Sequence, residues 1–402
     1  MTTAYRTWAD IDLEALSHNL RVIKERCGAA QLWPVLKGDA YGHGAPQIAR
    51  HCAREGVAKI GVGDSGEALE LRESGVQLPM LVLGTVIDAE VPLLLHHDVE
   101  VGVHSHSRVR QLAEEARRAG RRMGVHLKVD TGMGRLGVQP EAVRRVAEAI
   151  CEASHLEFRG LMSHFAAPLG CLDPFTEEQR RRFQACLAHL QEHRLPIPAI
   201  HLANSAALFT GLHPLGQAAR PGLALYGTLA EALDPNQELQ PVLSLRAQII
   251  FLKDVPTGTP VGYGSRWTAP RPTRLAILPI GYADGLPYAL SRQSEVPPFA
   301  SFSTESTMNR PPSVSIRGRL CPIVGALSMD YTAVDVTEVT GADIGDPVTL
   351  IGRDGEQNLP VQQMAAAAGT IPYEITCRLG KRVRRVYHFH QQAWSSEQAV
   401  RS

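Results

Sequence analysis

The chain has 402 residues, 41 lysines plus arginines against 41 aspartates plus glutamates, and an apolar content of 44%. That length exceeds one average domain and fits either two domains or a barrel of about 250 residues with a smaller companion. A net charge of zero leaves no field to hold nucleic acid or an anionic membrane, and no window approaches the ~20 apolar residues of a membrane span. Seven cysteines, Cys27, Cys52, Cys151, Cys171, Cys186, Cys321 and Cys377, are scattered without a CxxC. They read as reduced thiols, not as a disulfide framework or a zinc site. The start "MTTAYRTWADIDLEALSHNL" has no apolar core of a secretory signal, so the expected location is the cytoplasm.

From about Leu32 to Gly227, β-type runs alternate with amphipathic stretches. The runs are "LWPVLK", "KIGVGD", "MLVLGT", "VEVGVHS", "GVHLKVDTG", "FRGLMSHF", "AIHLANS" and "ALYG". Between them, stretches such as "SRVRQLAEEARRAG" and "EAVRRVAEAICEA" repeat apolar residues three and four apart, as surface helices do. Alternation of this kind predicts an α/β fold. Eight strand candidates are the number that closes a (β/α)8 TIM-type barrel, here over residues 8–232, with an open doubly wound sheet as the alternative. After about Leu229, runs such as "LSLRAQIIFLKDV" and "TRLAILPIGYADG" are split by Gly, Pro and Asp turns with little helix between them. They predict a mostly-β domain over residues 233–388, with residues 1–7 packing on it. Residues 291–313, rich in Ser, Pro and Thr, read as a loop insertion, and residues 389–402 as a loosely constrained tail.

In such a barrel the active site forms at the C-terminal ends of the strands. Those ends carry Lys37, then Lys128 and Arg135 in "KVDTGMGR", His164 in "SHF", Asn204 and Ser205 in "ANS", and Arg220 and Gly222 in "RPG". A lysine desolvated at a barrel mouth loses its proton more readily and can form a Schiff base with an aldehyde cofactor. Hydroxyl and backbone N–H groups around "NS" and "RPG" suit a phosphate. No group of His and carboxylate residues has the spacing of metal ligands, so the set describes a pyridoxal phosphate site without a metal. Each residue also has a structural reading that composition leaves open. Lys37 can be a surface lysine at a strand end, His164 a core histidine, Lys128 and Arg135 loop flanks, and Tyr263 the centre of a plain turn in "VGYGSRW".

Nine motifs in one order run through both halves: "WADIDLEALSHNL", "VLKGDAYGHG", "KVDTGMGRLG", "HLANSA", "RPGLALYG", "VGYGSRW", "LPIGYADG", "SMD" and "GTIPYEITCRLGKRVRRVY". With them the chain resembles the bacterial alanine racemases from about Trp8 to Tyr387. The resemblance implies a fold-type III pyridoxal phosphate enzyme, an isomerase that interconverts L-alanine and D-alanine and supplies the D-isomer for peptidoglycan. It assigns Lys37 as the covalent attachment point of the cofactor and as the base on one face of the substrate α-carbon, with Tyr263 on the other. Taking a proton from one face and returning it to the opposite face requires two acid/base groups. Free lysine and tyrosine both titrate near about pH 10, so each needs lowering by its surroundings.

Arg220 would face the pyridine nitrogen. A guanidinium keeps its proton, so the ring nitrogen stays unprotonated and the cofactor is a weaker electron sink, which suppresses transamination and decarboxylation. By the same resemblance Arg135 stands beside the cofactor's phenolic oxygen and the substrate carboxylate, Lys128 is a site of carbamylation, and His164 supports Arg220. Tyr41, Ser205, Gly222 and Tyr373 hold the phosphate, with Asn204 and Leu223 as further cofactor contacts. Met329 offers its backbone N–H to the substrate carboxylate, and Tyr282 lines the approach to the site. A homodimer is implied, with Tyr263 and Met329 crossing the interface. Three positions depart from the family pattern: Leu169 where an aspartate is common, Ala326 and Tyr288 where arginines are frequent. Together they suggest a less polar approach and an altered side-chain tolerance. Alternatives are a broader-specificity or serine racemase of the same family, a non-catalytic pyridoxal phosphate carrier, and a decarboxylase of the same fold type.

Overall fold

The computed structural model describes residues 5–167, 170–197, 199–212, 216–230, 232–291, 311–389 and 392–395. The chain divides into two compact units. One is Ser17–Leu225 with Glu231–Leu239; the other is Met1–Leu16 with Tyr226–Ala230 and Gln240–Ser402.

The first strand, β1 (Thr7–Asp12), belongs to the second of these units. The first unit is built on eight parallel strands. They are β2 (Gln31–Leu32), β3 (Ile60–Val62), β4 (Met80–Val82), β5 (Val99–Val103), β6 (Met123–Lys128), β7 (Leu156–Met162), β8 (Ile200–His201) and β9 (Ala218–Ala219). Neighbours follow the order β2-β9-β8-β7-β6-β5-β4-β3. A parallel bridge between Val35 and Gly61 joins the two ends, with Leu36 N–H on Gly61 O and Gly61 N–H on Pro34 O, both at 2.8 Å. The ring is thereby a TIM-type barrel. Trp33, Leu81, Met162 and Ala218, from four places around it, pack together as its core.

Helices on the outside begin where the sequence offers caps. Asp64 accepts Glu67 N–H at 3.0 Å before the helix Ser65–Glu73, and Ser105 accepts Arg108 N–H at 3.2 Å before His106–Arg118. The helix Val143–Glu152 buries Val143, Val146, Ala147 and Ile150, one stripe at helical spacing. One expectation is corrected here. The eighth strand is Ala218–Ala219, and the run "ALYG" is a 3-10 turn, Leu223–Tyr226. Ala224, Leu225 and Tyr226 are fully enclosed, and a short apolar run buried on every side looks the same as strand or as helical turn.

The second unit holds an eleven-stranded sheet. Its further strands begin with β10 (Leu243–Gln248), β11 (Phe251–Val255), the separate pair β12 (Pro260–Val261) and β13 (Trp267–Thr268), and β14 (Thr273–Leu278). They continue with β15 (Ser313–Ile316), β16 (Arg319–Val324), β17 (Thr332–Asp335), β18 (Pro347–Asp354), β19 (Gln357–Leu359), β20 (Arg384–Phe389) and β21 (Gln392–Ser395). β1 lies between β10, antiparallel, and β20, parallel. Residues 8–12 therefore pair in this sheet, although the expected barrel domain starts at residue 8. A polar residue in mid-strand explains why: Asp10 accepts Arg246 Nε and His388 Nε2, each at 2.8 Å, and both partners come from this sheet. β21 pairs antiparallel with β20, so ordered pairing reaches into the expected tail. Of the expected insertion at 291–313, residues 292–310 lie outside the described residues. Among the described residues no helix is long and apolar enough to cross a membrane.

Candidate active site

Lys37 leaves the barrel at the end of its first stave. Trp33 N–H bonds Ala219 O and Val35 N–H bonds Pro221 O, both at 2.9 Å, which carries the chain to the rim, where Lys37 is exposed. The next four residues, Gly38, Asp39, Ala40 and Tyr41, all have φ of 53–62° and ψ of 37–50°, one turn of left-handed helix. Such a conformation costs roughly 1–2 kcal/mol for each non-glycine residue. Local bonds offset it. Gly38 N–H donates to Glu67 Oε1 at 2.6 Å, Asp39 Oδ1 accepts Ala45 N–H at 2.7 Å, and His43 Nδ1 donates to Ala40 O and Tyr41 O at 3.0 Å. The turn puts the Tyr41 ring centroid 5.9 Å from Lys37 Nζ.

Facing this turn is a cradle. Ser205 Oγ accepts the N–H groups of Gly222 at 3.0 Å and Ala224 at 3.2 Å. Both lone pairs are then in use, so the hydroxyl proton remains to be donated outward. A Cβ on Gly222 would come 2.5 Å from Tyr41 Oη, so only glycine fits between the cradle and the tyrosine. Asn204 starts the short helix Ser205–Phe209 by accepting Ala207 N–H at 3.0 Å, and half-buried Leu223 follows Gly222. Two hydroxyls beside a backbone with no room for a side chain fit a phosphate, and Lys37 at the same rim fits the aldehyde of pyridoxal phosphate.

The rest of the rim is cationic. Arg220, 6% exposed, donates from Nη2 to Ser163 O at 2.6 Å and from Nη1 to His201 Nδ1 at 2.7 Å and to His201 O. Burial pushes the guanidinium down to about 10. Lys128 ends β6 almost buried, with Nζ 3.3 Å from Leu83 O. Burial, and then the charges of Arg220, Arg135 and Lys37, push its amine down to about 8. Arg135 is exposed, in a loop where Asp130 Oδ1 accepts the N–H groups of Gly132 (2.9 Å) and Gly134 (3.1 Å). Burial and the charges of Arg220, Lys128, Lys37 and Arg135 push His164 down to about 3. His164 thus feels the Arg220 charge, while the described hydrogen bonds of Arg220 go to His201 and Ser163.

Lys37, Tyr41, Lys128, Arg135, His164, Asn204, Ser205, Arg220, Gly222 and Leu223 all belong to the barrel unit, and Tyr263, Tyr282, Met329 and Tyr373 to the other. There Tyr263 follows Gly262 and is 75% exposed, so nothing within its unit encloses the phenol. Tyr282 N–H bonds Ser328 O and Ala283 N–H bonds Met329 O, both at 3.1 Å, which ties "GYADG" to "SMD". Tyr282 and Tyr288 meet edge to face at 6.1 Å, and the Arg266 guanidinium lies 5.7 Å from the Tyr288 ring. With Tyr263, Leu286 and Leu327 these two tyrosines line a surface depression of about 730 Å³. Ala326 is buried, its backbone beside Gly262. Leu169 lies outside the described residues. Tyr373 sits half-buried on the helix Pro372–Cys377, its phenol pushed up by burial.

Sequence reasoning missed His104 and His201. Neither ring nitrogen of His104 has a partner among the described residues, and burial followed by Lys128 and Arg108 pushes it down to about 4. Both residues lie at the ends of expected strands, "VEVGVHS" and "AIHLANS", so the same strand-end rule finds them.

Comparison with known proteins gives the family of the chain. The family model "Alanine racemase, N-terminal domain" matches residues 11–230, and "Alanine racemase, C-terminal domain" matches residues 242–387. An alanine racemase of Geobacter sulfurreducens is 38% identical over 95% of this chain and 97% of its own. The structure of an alanine racemase from Clostridium difficile superimposes with a TM-score of 0.88 at 30% identity, covering 98% of this chain and 99% of that one. A structure of the Bartonella henselae enzyme, described as carrying covalently bound pyridoxal phosphate, gives 0.80 at 28% identity over 95% and 99%. With both halves matched in order, the chain belongs to the alanine racemase family of pyridoxal phosphate-dependent isomerases.

Proposed function

We propose that this chain interconverts L-alanine and D-alanine by two-base proton transfer, with Lys37 acting on one face of the α-carbon and Tyr263 on the other. The observation that carries the reading is the gathering of Lys37, Tyr41, the Ser205–Gly222 cradle and buried Arg220 at one barrel rim. When bound, pyridoxal phosphate supplies an electron sink that acidifies the substrate α-carbon. Lys37 holds the cofactor and moves a proton at Nζ. Tyr263 moves the other proton at Oη. Tyr41, Ser205 and Gly222, with Tyr373, Asn204 and Leu223, hold the phosphate end. Arg220 donates to the ring nitrogen and cannot give its proton away, which restrains side reactions at the α-carbon. Arg135 and the Met329 N–H receive the substrate carboxylate, and Tyr282 borders the approach.

Lys128 adds a switch of charge. An amine held at about 8 has ~10% of its population neutral at pH 7, against a few parts in ten thousand for a free lysine. Only the neutral amine attacks carbon dioxide. The new N–C bond releases one proton to solvent and leaves a carbamate, an anion that pairs with Arg135.

Tyr263, exposed in its own unit, works in this reading as part of the site of a second copy, so the enzyme is a homodimer with Tyr263 and Met329 crossing the interface. Its place is the cytoplasm and its product serves peptidoglycan synthesis. Loss of the α-proton signal of L-alanine in heavy water, followed by NMR with cofactor added, tests the reaction. A folded, cofactor-loaded protein that leaves the signal intact overturns it. The aromatic pair Tyr282–Tyr288 and small, buried Ala326 favour a second reading, a broader substrate range. L-serine run beside L-alanine at a comparable rate supports that range, and strict preference for alanine removes it.

A further inference from the structure

Arg220 is a buried cation whose described acceptors, His201 Nδ1, His201 O and Ser163 O, are all neutral. Burying a guanidinium without a counter-charge is costly, and its compensation lies farther down the barrel. His201 Nε2 is 2.8 Å from His126 Nδ1, and His126 Nε2 is 2.7 Å from Glu100 Oε2. Lys59 Nζ closes the line on the same carboxylate oxygen. The line crosses from β9 to β8, β6, β5 and the approach to β3, with both rings wholly enclosed.

The donors leave one polarity for this line. An arginine has five N–H donors and no acceptor, so His201 Nδ1 must be bare. A neutral imidazole with a bare Nδ1 carries its proton on Nε2, and that proton points at His126. His126 therefore accepts at Nδ1, carries its own proton on Nε2 and donates to Glu100. A carboxylate only accepts, so the line ends there. Burial, and for His201 then Arg220, lowers both histidines, which keeps them neutral. Burial raises Glu100, but the hydrogen bond from His126 and the charge of Lys59 outweigh it and hold the carboxyl below the usual carboxylate range.

The surroundings keep the rings in place. A Cβ on Gly160 would come 2.5 Å from His126 Nδ1 and 2.8 Å from the backbone Ala199 O, so glycine on β7 leaves room for both the ring and the neighbouring carbonyl. Trp33 lies against His201 at 4.8 Å and meets His126 edge-on at 6.0 Å.

We propose that Glu100 is a positioning residue which, through His126 and His201 as two neutral, uniformly polarised imidazoles, holds Arg220 in one orientation toward the cofactor's ring nitrogen. No proton travels along the line. It transmits the field of a carboxylate, whose need for a donor selects the same tautomer that the Arg220 donors require of His201. The inference rests on the assignment of Arg220 to the ring nitrogen.

Histidine-labelled holoenzyme, read by 15N NMR with signals assigned through His126→Gln and His201→Gln, tests the polarity. Both rings are expected neutral with the proton on Nε2. In Glu100→Gln the carboxamide can donate to His126 Nε2 and reverse the line, so His201 would present Nδ1–H to Arg220. The expected results are protons moved to Nδ1, a shifted absorbance maximum of bound cofactor, and a Kd for pyridoxal phosphate raised ~10-fold, as for other outer-shell partners. Glu100→Asp, which keeps the charge, restores most of each signal. Gly160→Ala displaces the His126 ring with the carboxylate intact and reproduces the shift in absorbance and Kd. A proton on His201 Nδ1 in the parent protein, or unchanged tautomers, absorbance and Kd in Glu100→Gln, overturns the proposal. If Glu100→Gln does not fold, the parent tautomers and Gly160→Ala decide. None of these readouts needs turnover, so failure of the racemase reading and failure of this one are told apart.

Discussion

Four cations, Lys37, Lys128, Arg135 and Arg220, share one barrel rim, and the two arginines have to stay charged. Arg220 stays so because no base near neutrality takes a guanidinium proton. Lys128, held at about 8, is the residue proposed to react with carbon dioxide. In 13C-bicarbonate the protein should give one carbamate resonance that Lys128→Ala removes, and that variant should raise KM for alanine several-fold because Arg135 loses its anionic partner. Tyr263 belongs to the same scale. On the two-base reading, Tyr263→Phe removes one of two acid/base groups, a change of the order of 10²–10⁴-fold in rate. The loss should be unequal when α-proton exchange is followed from L-alanine and from D-alanine, because each isomer presents its proton to a different group. Equal losses in both directions would count against the two-base reading. Lys37 was legible because it ends the run "LWPVLK", whereas Arg220 was legible through the motif "RPGLALYG", since the strand it follows, Ala218–Ala219, is not among the runs read from the sequence. The partnership of His126 with His201 was not, because the two are 75 positions apart and meet only through strand register.

At the scale of elements, the left-handed turn Gly38–Tyr41 shows what local pattern can and cannot specify. Gly38, Gly42 and Gly44 announce a turn, but three consecutive non-glycine residues at positive φ are not readable from it. They are held there by a tertiary bond to Glu67 on another helix and by a local one, in which Asp39 accepts Ala45 N–H. Asp39→Ala should therefore cost about 1 kcal/mol, a drop of a few degrees in Tm. Cofactor binding should weaken with it, since Tyr41 and Lys37 flank the turn; unchanged cofactor affinity would detach the turn from the site. β1 makes the same point through charge. Its Asp10 hydrogen bond raises His388 above the ordinary imidazole value, with burial and Arg246 opposing. A raised folded-state pKa stabilises the protein below the unfolded value of about 6.5, and that contribution is lost as pH rises through the folded value. His388→Gln should unfold at lower urea than the parent near about pH 6, and the gap should narrow as pH rises. A constant gap across pH would mean that the contact holds by packing alone.

The change from alternating to strand-only pattern near residue 230 is visible along the chain because periodicity is a local property. The membership of β1 is not, because Asp10 finds Arg246 at a separation of 236 residues. The same long reach governs how the whole molecule completes a site. Lys37 lies in one unit and Tyr263 in the other, and Tyr263 is 75% exposed there. If the site is finished by a second copy, its two bases come from different chains, and closed two-fold symmetry gives each dimer two such sites. Lys37→Ala and Tyr263→Phe homodimers then each lack one base in both sites. A mixed dimer of the two variants instead gathers both defects into one site and leaves the other with a native Lys37 and a native Tyr263. Mixing the inactive variants under conditions that allow subunit exchange should restore about a quarter of parental activity, because half the dimers are mixed and half their sites are intact. Activity should also fall on dilution below the dimer Kd. Mixtures that stay inactive while exchange is demonstrated by mass would place both bases in one chain, and Tyr263 would then have to be reached within a single copy.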